Sequence, residues 1–574
     1  MDINKSMIGN VLDVCNDRII VADVEDEIGN SFFETRYHGI KVLVLAPHPD
    51  DEINIAGAMI LNLSRARAEI FVAYSTNGDF DVNAAIRAKE SAQALNVLGV
   101  KRDHIIFLGY GDTYNGTGKP HIFHADNPTN SPAGKAETYP AGEFNDYAFI
   151  KHGEHSKYTR ENFHNDLKDL ILEIEADIIF CVDFDRHSDH RALSIIFEQV
   201  MSEILSREEN YYRPEIYKNF AYSTAFTAAR DFYSENLLET KRPTSANEAY
   251  DFDLIDRANY DWSRRVRFPM PEDCRLPLIG EILIHHNPIA KAIFAHKSQK
   301  NEWNALGILN SDEIFFERRT DNLVYTAQIE ATSGDCSKIR DFHIINTDNI
   351  DASPPKFSNH LWIPDSSDSN KTLKLTWPCL QQIEQIKIYG DVNSEIEVPI
   401  KLSLDDKFST EVSLPSRGLP YILDFDEKIF ASKAEIQLVN SNCGIAEIEI
   451  FTDKEPPHVI KPFIKITIND NFAYDYFVPK NKHRLELEIY RFHIEKPIEL
   501  TVSDGVIYYA DNKFTLQFDN DNVTVRAEIS GESEIYDQIK IHRKSKIFFW
   551  RLKLKQLFER FKIHLQRKFR GYKL

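Results

Sequence analysis

The chain has 574 residues, of which 42% are hydrophobic and 27% charged, and a net charge of −21. This length exceeds what one hydrophobic core supports, so the sequence predicts several folded domains and not a disordered chain. From residue 540 onward the sequence has 13 Lys and Arg against one acid, a balance of +12, so the other 539 residues sum to −33. This acidic body argues against a nucleic-acid-binding protein, whereas the basic tail is suited to an anionic surface.

Three features bear on the cellular compartment. The six cysteines form no C-x-x-C pair, so neither a thiolate zinc site nor a redox motif is expected. The first twenty residues lack the charged region and long apolar run of a signal peptide, and no run of 18 apolar residues predicts a membrane span. We expect a cytoplasmic protein whose basic tail could hold it on the inner face of the membrane.

The segment from 40 to 205 alternates strand-like and helix-like patterns. The predicted strands lie at 40–46, 68–79, 103–112 and 177–185, and the predicted helices at 53–67, 82–100, 158–176 and 189–205. Apolar strands without strict alternation, separated by helices, predict an α/β Rossmann-like domain with a mostly parallel sheet covered on both faces. Thr159 is the predicted N-cap of its helix, and Gly99 is predicted to close another.

The segment from 110 to 157 is long and rich in Gly, Pro, Asn and His, which is typical of a functional loop. It contains His121, His124, His152 and His155. We expect these imidazoles to lie in a lid or on the surface and not to bind a metal.

The pattern after about residue 322 is that of β structure. Short segments alternate apolar and polar residues without helical period, which predicts two β-sandwiches separated by the linker EPPH. The predicted strands of the first lie at 371–378, 383–390, 398–406, 434–440 and 445–451, and those of the second at 464–470, 484–490, 498–504, 514–520 and 523–530. The predicted domains are an N-terminal extension at 1–37, the α/β domain at 38–322, the first sandwich at 323–453, an Ig-like second sandwich at 456–540 and a tail at 541–574.

The tail has the period of a helix. Its apolar residues form one stripe at steps of three and four: Ile547, Trp550, Leu554, Leu557, Phe558, Phe561, Leu565 and Phe569. Such a basic amphipathic helix either packs on a protein surface or lies on an anionic bilayer, and the charge of the tail favours the bilayer.

Two polar clusters follow two of the predicted strands, HPDDE at 48–52 and DRHSDH at 185–190. Ligands of open α/β sheets bind at the carboxyl ends of the strands, so these clusters are expected to meet. Imidazoles and carboxylates with an open coordination position form the catalytic type of zinc site. A single His or acid is more often an ordinary polar residue, but two clusters in one α/β unit favour a metal centre.

The motifs APHPDDE and HSDHRA resemble the PIG-L/LmbE-like family of zinc-dependent N-deacetylases. Four weaker motifs occur in the family's order, namely TNG at 76–78, RAKESAQALNVLGV at 87–100, FLGYGD at 107–112 and AHKSQ at 295–299. The resemblance covers about residues 38–305. A second resemblance, through LKLTWP and AEIEIF, is between 323–453 and discoidin (F5/8 type C, galactose-binding-like) domains. Such domains often bind glycans, although a spacer sandwich without a ligand is an equally open reading.

The family resemblance implies a role for each residue of the two clusters. His48, Asp51 and His190 would bind Zn²⁺. Asp50 would act as the general base, and a protonated His187 would stabilise the transition state.

Three further residues are expected to bind the substrate, two of them, Arg87 and Asp112, because of the resemblance and Arg186 because of its place beside His187. Arg87 matches a family arginine that contacts the substrate, and Asp112 matches a family acid near the active-site histidine. Arg186 would bind an anionic substrate or lower the pKa of the adjacent imidazole. Ser188 replaces a proline that is frequent in the family.

Together these features predict a zinc-dependent deacetylase that removes acetyl from an N-acetylated sugar in a glycolipid or surface-polysaccharide intermediate. The expected partners are that glycan or glycolipid and an anionic membrane surface. Two alternatives stay open. One is a glycan-binding scaffold with an idle metal site, and the other is an amidase of a small thiol glycoside or antibiotic.

Overall fold

The computed structural model divides the chain into two compact units, Ile40–Val459 and the combination of Met1–Gly39 with Ile460–Leu574. Two short strands, β1 (Val11–Leu12) and β2 (Arg18–Val21), belong to the combined unit. The structure describes residues 11–12, 18–21, 37–113, 126–183, 187–207, 212–219, 221, 266–268, 274, 287–299, 313–344, 360–391, 394–416, 419–439, 443–458, 463–468, 475–492, 494, 496–510, 513–551 and 554.

The expected α/β domain is confirmed. Its strands are β3 (Lys41–Ala46), β4 (Glu69–Thr76), β5 (Ile105–Tyr110), β6 (Ile178–Val182), β7 (Glu215–Asn219), β8 (Val266–Phe268) and β9 (Glu313–Arg318). Its helices are α1 (Asp51–Arg65), α2 (Ala84–Leu98), α3 (Tyr147–His152), α4 (Arg160–Ile174), α5 (Ser188–Leu205) and α6 (Pro288–Ala295). Thr159 caps α4 through its side chain, and Gly99 ends α2 with a φ of 90°, as predicted.

The seven strands form one sheet in the order β5-β4-β3-β6-β7-β9-β8. Strands β3 to β7 are parallel, whereas β9 and β8 are antiparallel additions at one edge. The chain moves outward from β3 to β5 and then returns to place β6 on the other side of β3. The strand order therefore reverses between β3 and β6, where a ligand crevice is expected in open α/β sheets.

Helix α1, which begins directly after the HPDD segment, is interrupted at Ala56, where φ is −149° and ψ is 29°. The interruption leaves backbone N–H groups without helical partners. The carboxylate of Glu313, on β9, accepts hydrogen bonds from the N–H groups of Ala58 (2.7 Å) and Met59 (2.8 Å). The side chain of Asn219 donates to the Ile55 carbonyl at 2.9 Å. The sheet edge thus supplies the hydrogen bonds that the interrupted helix lacks.

The first expected β-sandwich is confirmed as an antiparallel assembly. Its strands are β10 (Gln328–Ala331), β11 (Thr372–Gly390), β12 (Val398–Leu404), β13 (Phe408–Leu414), β14 (Pro420–Leu438) and β15 (Ile445–Phe451). Two strands predicted separately, at 371–378 and 383–390, are one long strand, β11. Register shifts on either side of Gln381–Ile383 mark irregular pairing with β14, which bends a strand so that it can serve both layers of a sandwich.

The second sandwich lies in the other unit and is made of two sheets. Its strands in this part of the chain are β16 (Phe463–Thr467), β17 (Asp475–Pro479), β18 (Arg484–Phe492), β19 (Ile498–Val502), β20 (Val506–Ala510), β21 (Lys513–Gln517), β22 (Asn522–Ile529) and β23 (Glu532–Lys544). The sheet orders are β1-β2-β19-β22-β23-β17 and β16-β18-β21-β20. The N-terminal segment therefore contributes two strands to this sandwich, a pairing that the sequence pattern did not indicate.

The start of the predicted tail is strand, because β23 runs to Lys544. Helical residues follow at 546–551, and the side chains of Ile547, Trp550 and Leu554 are exposed. The rest of the predicted stripe lies outside the described residues. None of the described helices has both the length and the apolar composition that crossing a bilayer requires.

The contact between Glu313 and α1 gives a prediction about stability. Glu313→Ala should lower the free energy of unfolding by about 1–3 kcal/mol for each backbone N–H left without a partner, because both groups are buried. Glu313→Gln, which keeps one carbonyl acceptor, should lower it less. Urea denaturation measures both values, with Glu154→Ala on the exposed surface of the same domain as the control. Equal stability of all three variants would contradict this account of the interrupted helix.

Candidate metal centre and active site

The two polar clusters meet at the carboxyl edge of the sheet, between the ends of β3 and β6. His48 follows β3, and His190 lies in the first turn of α5, just after β6. Asp51, the first residue of α1, lies between them, with its Oδ2 2.9 Å from Nδ1 of His48 and 3.1 Å from Nε2 of His190. All three side chains are buried. The structure thus brings the three predicted metal ligands together.

This donor set fits a metal ion of the zinc type. Zn²⁺ binds imidazole nitrogen and carboxylate oxygen at about 2.0–2.2 Å, and donors of a tetrahedral site then lie about 3.3 Å apart. The separations of Asp51 from the two imidazoles are close to that value. Two groups of side chains place one ligand atom each within 4.8 Å of one another and are able to hold a metal. They are His48 with His187 and His190, and His48 with Asp112, His187 and Asp189, and Asp51 is in neither group.

The charges of the three residues depend on one another. Burial by itself would raise the pKa of Asp51, but the two neighbouring imidazoles outweigh it and hold that pKa well below its usual range. Burial by itself would lower the pKa of His48, but the carboxylates of Asp112, Asp189 and Asp51 raise it well above its usual value. A proton on the His48 imidazole thus balances the buried carboxylates, and a bound cation would replace it.

Asp50, the predicted base, is held in a strained conformation beside the metal ligands. Its φ is 143°, a region that residues other than glycine rarely adopt and that is frequent at functional sites. Arg87 donates from one NH₂ group to Oδ1 of Asp50 at 2.9 Å and to the Pro49 carbonyl at 2.8 Å. Burial raises the pKa of the Asp50 carboxyl, and the guanidinium of Arg87 opposes that rise. A raised pKa suits a group that must accept and then release a proton.

Arg87, which was predicted to contact the substrate, is buried. Its side chain also donates to the Gly78 carbonyl at 3.1 Å. Gly78 has a φ of +59°, and a Cβ there would lie 2.5 Å from an Arg87 nitrogen. The glycine of the TNG motif thus makes room for the guanidinium. The structure places Arg87 against the carboxylate of Asp50. Contact between Arg87 and a substrate stays a prediction.

A second pair fixes the turn that carries Asp50. The carboxylate of Glu52 accepts from the Asp50 N–H at 2.9 Å and contacts Nε2 of His296 at 2.9 Å. Burial would lower the pKa of His296, but Glu52 outweighs it and raises that pKa. Glu52 belongs to the APHPDDE motif and His296 to the AHKSQ motif of the family resemblance. The contact between them joins positions 244 residues apart.

His187 is the N-cap residue of α5, and its Nδ1 accepts a hydrogen bond from the Asp189 N–H at 3.2 Å. The proton of the neutral ring therefore lies on Nε2. Burial lowers the pKa of His187 well below its usual value, and the neighbouring imidazoles of His48 and His190 add to this. The family resemblance implied a protonated His187 ring. This environment instead favours a neutral ring, which can still donate from Nε2.

Asp189 is a residue of the site to which the sequence analysis assigned no role. Its Oδ2 is 3.1 Å from Nε2 of His48 and accepts from the Thr113 N–H at 3.0 Å, while its Oδ1 accepts from the Thr113 hydroxyl. The predicted substrate residue Asp112 is farther from the same His48 nitrogen, at 3.8 Å. A carboxylate on the far ring nitrogen orients a metal-binding histidine. The position of Asp189 within HSDH was the available signal.

The remaining residues singled out in the sequence are Arg186 and the four histidines of the long loop. Arg186, His121 and His124 lie outside the described residues. His152 is exposed and 3.6 Å from Asp169, and His155 is 2.8 Å from Asp146. The two described histidines of the long loop thus have carboxylate partners away from the metal centre.

Comparison with known proteins assigns the family of this domain. Residues 43–201 match the family model PIG-L, described as GlcNAc-PI de-N-acetylase. This segment runs from β3 to α5 and contains the HPDDE and HSDH motifs. Residues 43–201 form a PIG-L family domain. The family expected from the sequence is confirmed for this part of the chain.

The N-acetylglucosaminyl-phosphatidylinositol de-N-acetylase of Bos taurus is 31% identical to this chain over 70 residues. That match covers 12% of this chain and 28% of the relative, so the PIG-L domain shares less than a third of that protein's length.

Solved structures were also compared. The N,N'-diacetylchitobiose deacetylase from Pyrococcus horikoshii aligns with 49% of this chain and 84% of its own, with 18% identity and a TM-score of 0.28. A family 32 CBM (carbohydrate-binding module) from C. perfringens, solved with galactose, aligns with 22% and 93%, with 18% identity and a TM-score of 0.18.

The contact between Asp189 and His48 gives a prediction about metal affinity. Asp189→Asn should weaken divalent-metal binding by about 10–100-fold, because the His48 ring loses the carboxylate that orients it. Thr113→Val removes one of the groups that hold Asp189 and should have a smaller effect in the same direction. Competition with a chelator measures the affinities. Wild-type affinity in Asp189→Asn would show that the PIG-L domain orients His48 by other means.

Proposed function

We propose that this protein is a zinc-dependent hydrolase that removes the N-acetyl group from an N-acetylated sugar, carried on a glycolipid or a surface-polysaccharide intermediate. The observation that carries the proposal is the position of Asp51, within 3.1 Å of imidazoles from two strand ends and directly beside the strained Asp50. The PIG-L family match supports the same chemistry.

His48, Asp51 and His190 would hold the Zn²⁺ ion. When bound, zinc supplies a Lewis acid that polarises an amide carbonyl and lowers the pKa of water to about 7. The residues of the chain then have separate tasks, because two adjacent carboxylates on one turn cannot both face the same ion.

Asp50 is the proposed general base. Its carboxylate takes one proton from the water whose oxygen attacks the amide carbon, and Arg87 holds the carboxylate in place through Oδ1. The C–N bond of the tetrahedral intermediate then breaks, and Asp50 gives its proton to the departing nitrogen. The products are acetate and a free amino sugar. A buried carboxyl with a raised pKa is suited to both proton transfers.

His187 is the proposed donor to the developing negative charge on the amide oxygen. Its Nδ1 is occupied by the backbone of Asp189, so the donor is Nε2–H. A neutral donor fixed in position stabilises an oxyanion without a reorganisation cost.

The sugar is recognised, in this proposal, by Asp112, Arg87 and Arg186. Asp112 is fixed through its backbone N–H, which donates to Asp79 at 2.8 Å, and Asp79 also accepts from the hydroxyl of Tyr139 at 2.6 Å. This network ties the loop after β5 to the loop after β4 at the edge of the centre.

The proposed activity can be tested with a panel of N-acetylated sugars and glycolipids. The wild-type protein loaded with Zn²⁺ should release acetate, and removal of the metal should abolish the release. Asp50→Asn should keep its zinc and lose about 10²–10⁴-fold in kcat, because the missing step is proton transfer. Asp103→Asn, at the opposite edge of the sheet, is the control with unchanged kcat.

Three outcomes separate this proposal from its alternatives. Zinc and glycan binding without acetate release would indicate a scaffold with an idle site. Hydrolysis confined to small thiol glycosides or antibiotics would indicate the small-molecule amidase. A protein that binds no divalent metal would contradict the proposal as a whole.

The place of action that we propose is the inner face of the membrane, reached through the basic tail. Ile547, Trp550 and Leu554 lie on one side of the helical segment and are 65%, 68% and 47% exposed. Exposed apolar residues on one side of a strongly basic segment are typical of helices that lie on anionic bilayers. Each Lys or Arg near such a surface contributes about 1 kcal/mol to binding.

Vesicle sedimentation tests the tail. The full chain should bind vesicles that contain phosphatidylserine at low salt, and high salt should weaken this binding. Removal of residues 546–574, which spares β23, should abolish binding while hydrolysis of a soluble acetyl-sugar is unchanged. Trp550→Ala should weaken binding without changing the charge. A full chain that ignores anionic vesicles at low salt would assign the apolar stripe to a protein contact instead.

A further inference from the structure

One face of α5 joins the metal centre to the buried charges behind it. His190, Ser194 and Glu198 are spaced four residues apart, so their side chains lie in one row along the helix. All three are buried. Glu198 is therefore about 12 Å along the helix from His190, and any rotation or sliding of α5 moves both residues together.

The middle of this row contacts a fully buried lysine of the central sheet. Lys218, on β7, donates to the Ser194 hydroxyl at 2.8 Å and pairs with Glu198. Its Nζ is also 3.0 Å from Asp183, the first residue after β6, and the Ser194 hydroxyl donates to Asp183 at 3.2 Å. The end of β6 and the second turn of α5 are thus bound to the same ammonium group.

The far end of the row contacts the segment that contains Phe342 and His343, which lies between β10 and β11 of the first sandwich. Oε2 of Glu198 pairs with Nδ1 of His343, and Oε1 is 3.4 Å from a guanidinium nitrogen of Arg318. Arg318 donates to the Phe342 carbonyl at 2.9 Å and lies 4.2 Å above the centre of the Phe342 ring. Phe342 has a φ of 61°, so this short segment is held in an uncommon backbone conformation.

The contacts of Glu198 are the kind that fix geometry. The buried carboxylate of Glu198 pairs with the cations of Lys218 and Arg318 and contacts the imidazole of His343. Its range of favourable positions is narrow, because moving away from either cation leaves a buried charge uncompensated. Two of these partners, Lys218 and Arg318, come from the sheet, and His343 comes from the sandwich side. The rotation of α5 is therefore defined by both parts of the Ile40–Val459 unit.

We propose that Glu198 is a positioning residue for the metal-binding His190, and that His343 extends this role to the first β-sandwich. The sandwich is then a part of the catalytic unit and not a detachable glycan-binding module. This inference rests on the proposed function for its metal, but it concerns a part of the chain to which the deacetylase chemistry assigns no role.

The experiment compares Zn²⁺ affinity among full-length variants of matched stability, by competition with a chelator at a temperature where all are folded. Glu198→Gln should bind Zn²⁺ about 3–10-fold more weakly than wild type, a smaller loss than the 10–100-fold typical of residues that touch a ligand directly. Val72→Ala, in the core of β4, destabilises the same domain without touching the row. It should bind within about twofold of wild type.

A second pair of variants tests the contribution of the sandwich side. His343→Ala should weaken Zn²⁺ binding, and His343→Gln, which can still donate to Glu198, should recover part of the loss. This pair decides the question if Glu198→Gln does not fold.

Equal zinc affinities of the His343 variants and Val72→Ala would overturn the inference and leave the proposed deacetylase intact. A wild-type protein that binds no Zn²⁺ would overturn both. The inference would be supported if His343→Ala bound Zn²⁺ more weakly than wild type and His343→Gln recovered part of that affinity. A general loss of stability does not distinguish the two side chains.

Discussion

The carboxylate of Asp51 lies within hydrogen-bonding distance of imidazoles that come from two different strand ends, and the rest of the site is arranged around this contact. It can form only where the strand order of the sheet reverses, because there the ends of β3 and β6 are adjacent while the chain between them passes through β4 and β5. Asp50 is placed by the same turn, and His187 by the same helix as His190. A change in the separation of β3 and β6 would therefore move the proposed metal ligands, the proposed base and the proposed oxyanion donor together.

The site contains more buried charge than folding by itself would favour. Taking an ion out of water costs several kcal/mol, and the strained φ of Asp50 adds about 1–3 kcal/mol. These costs are offset by specific partners, namely Arg87 for Asp50, His296 for Glu52, and Thr113 with His48 for Asp189. Polar groups with fixed partners cannot reorient, so the environment is set before a substrate arrives.

The first sandwich is joined to the α/β domain by polar contacts that are themselves buried. Besides the Glu198 network, the side chain of Asn322 donates to the Ile448 carbonyl and accepts from the Ile450 N–H, both at 2.9 Å. The guanidinium of Arg319 lies 3.7 Å from the centre of the Phe451 ring. Such desolvated contacts require a fixed geometry, unlike the exposed linkers that usually separate mobile domains. The proposed effect of the first sandwich on the position of His190 depends on such contacts.

The sequence by itself determined the elements and their chemistry. The period of apolar residues located β3 to β6 and the helices α1, α2, α4 and α5, since secondary structure follows from neighbours a few positions apart. The HPDDE and HSDH motifs, through their family resemblance, supplied the predicted metal ligands and the predicted base, because each motif is a short stretch that is readable without its partner. Irregular strands were less accessible: β11 was read as two strands, and β17, β20 and β23 were not predicted, since edges and bends depend on their partners.

Only the tertiary structure decided which atoms face each other. The pairing of His48 with Asp189 joins positions 141 residues apart, and that of Glu198 with His343 joins positions 145 apart. The sequence carries no local signal for such contacts, because they depend on strand order, on the rotation of helices against the sheet and on which ring nitrogen meets a carboxylate. The sequence therefore determined what the site is made of, whereas packing decided how Asp50, His187 and Arg87 are oriented and how far the site extends into the molecule.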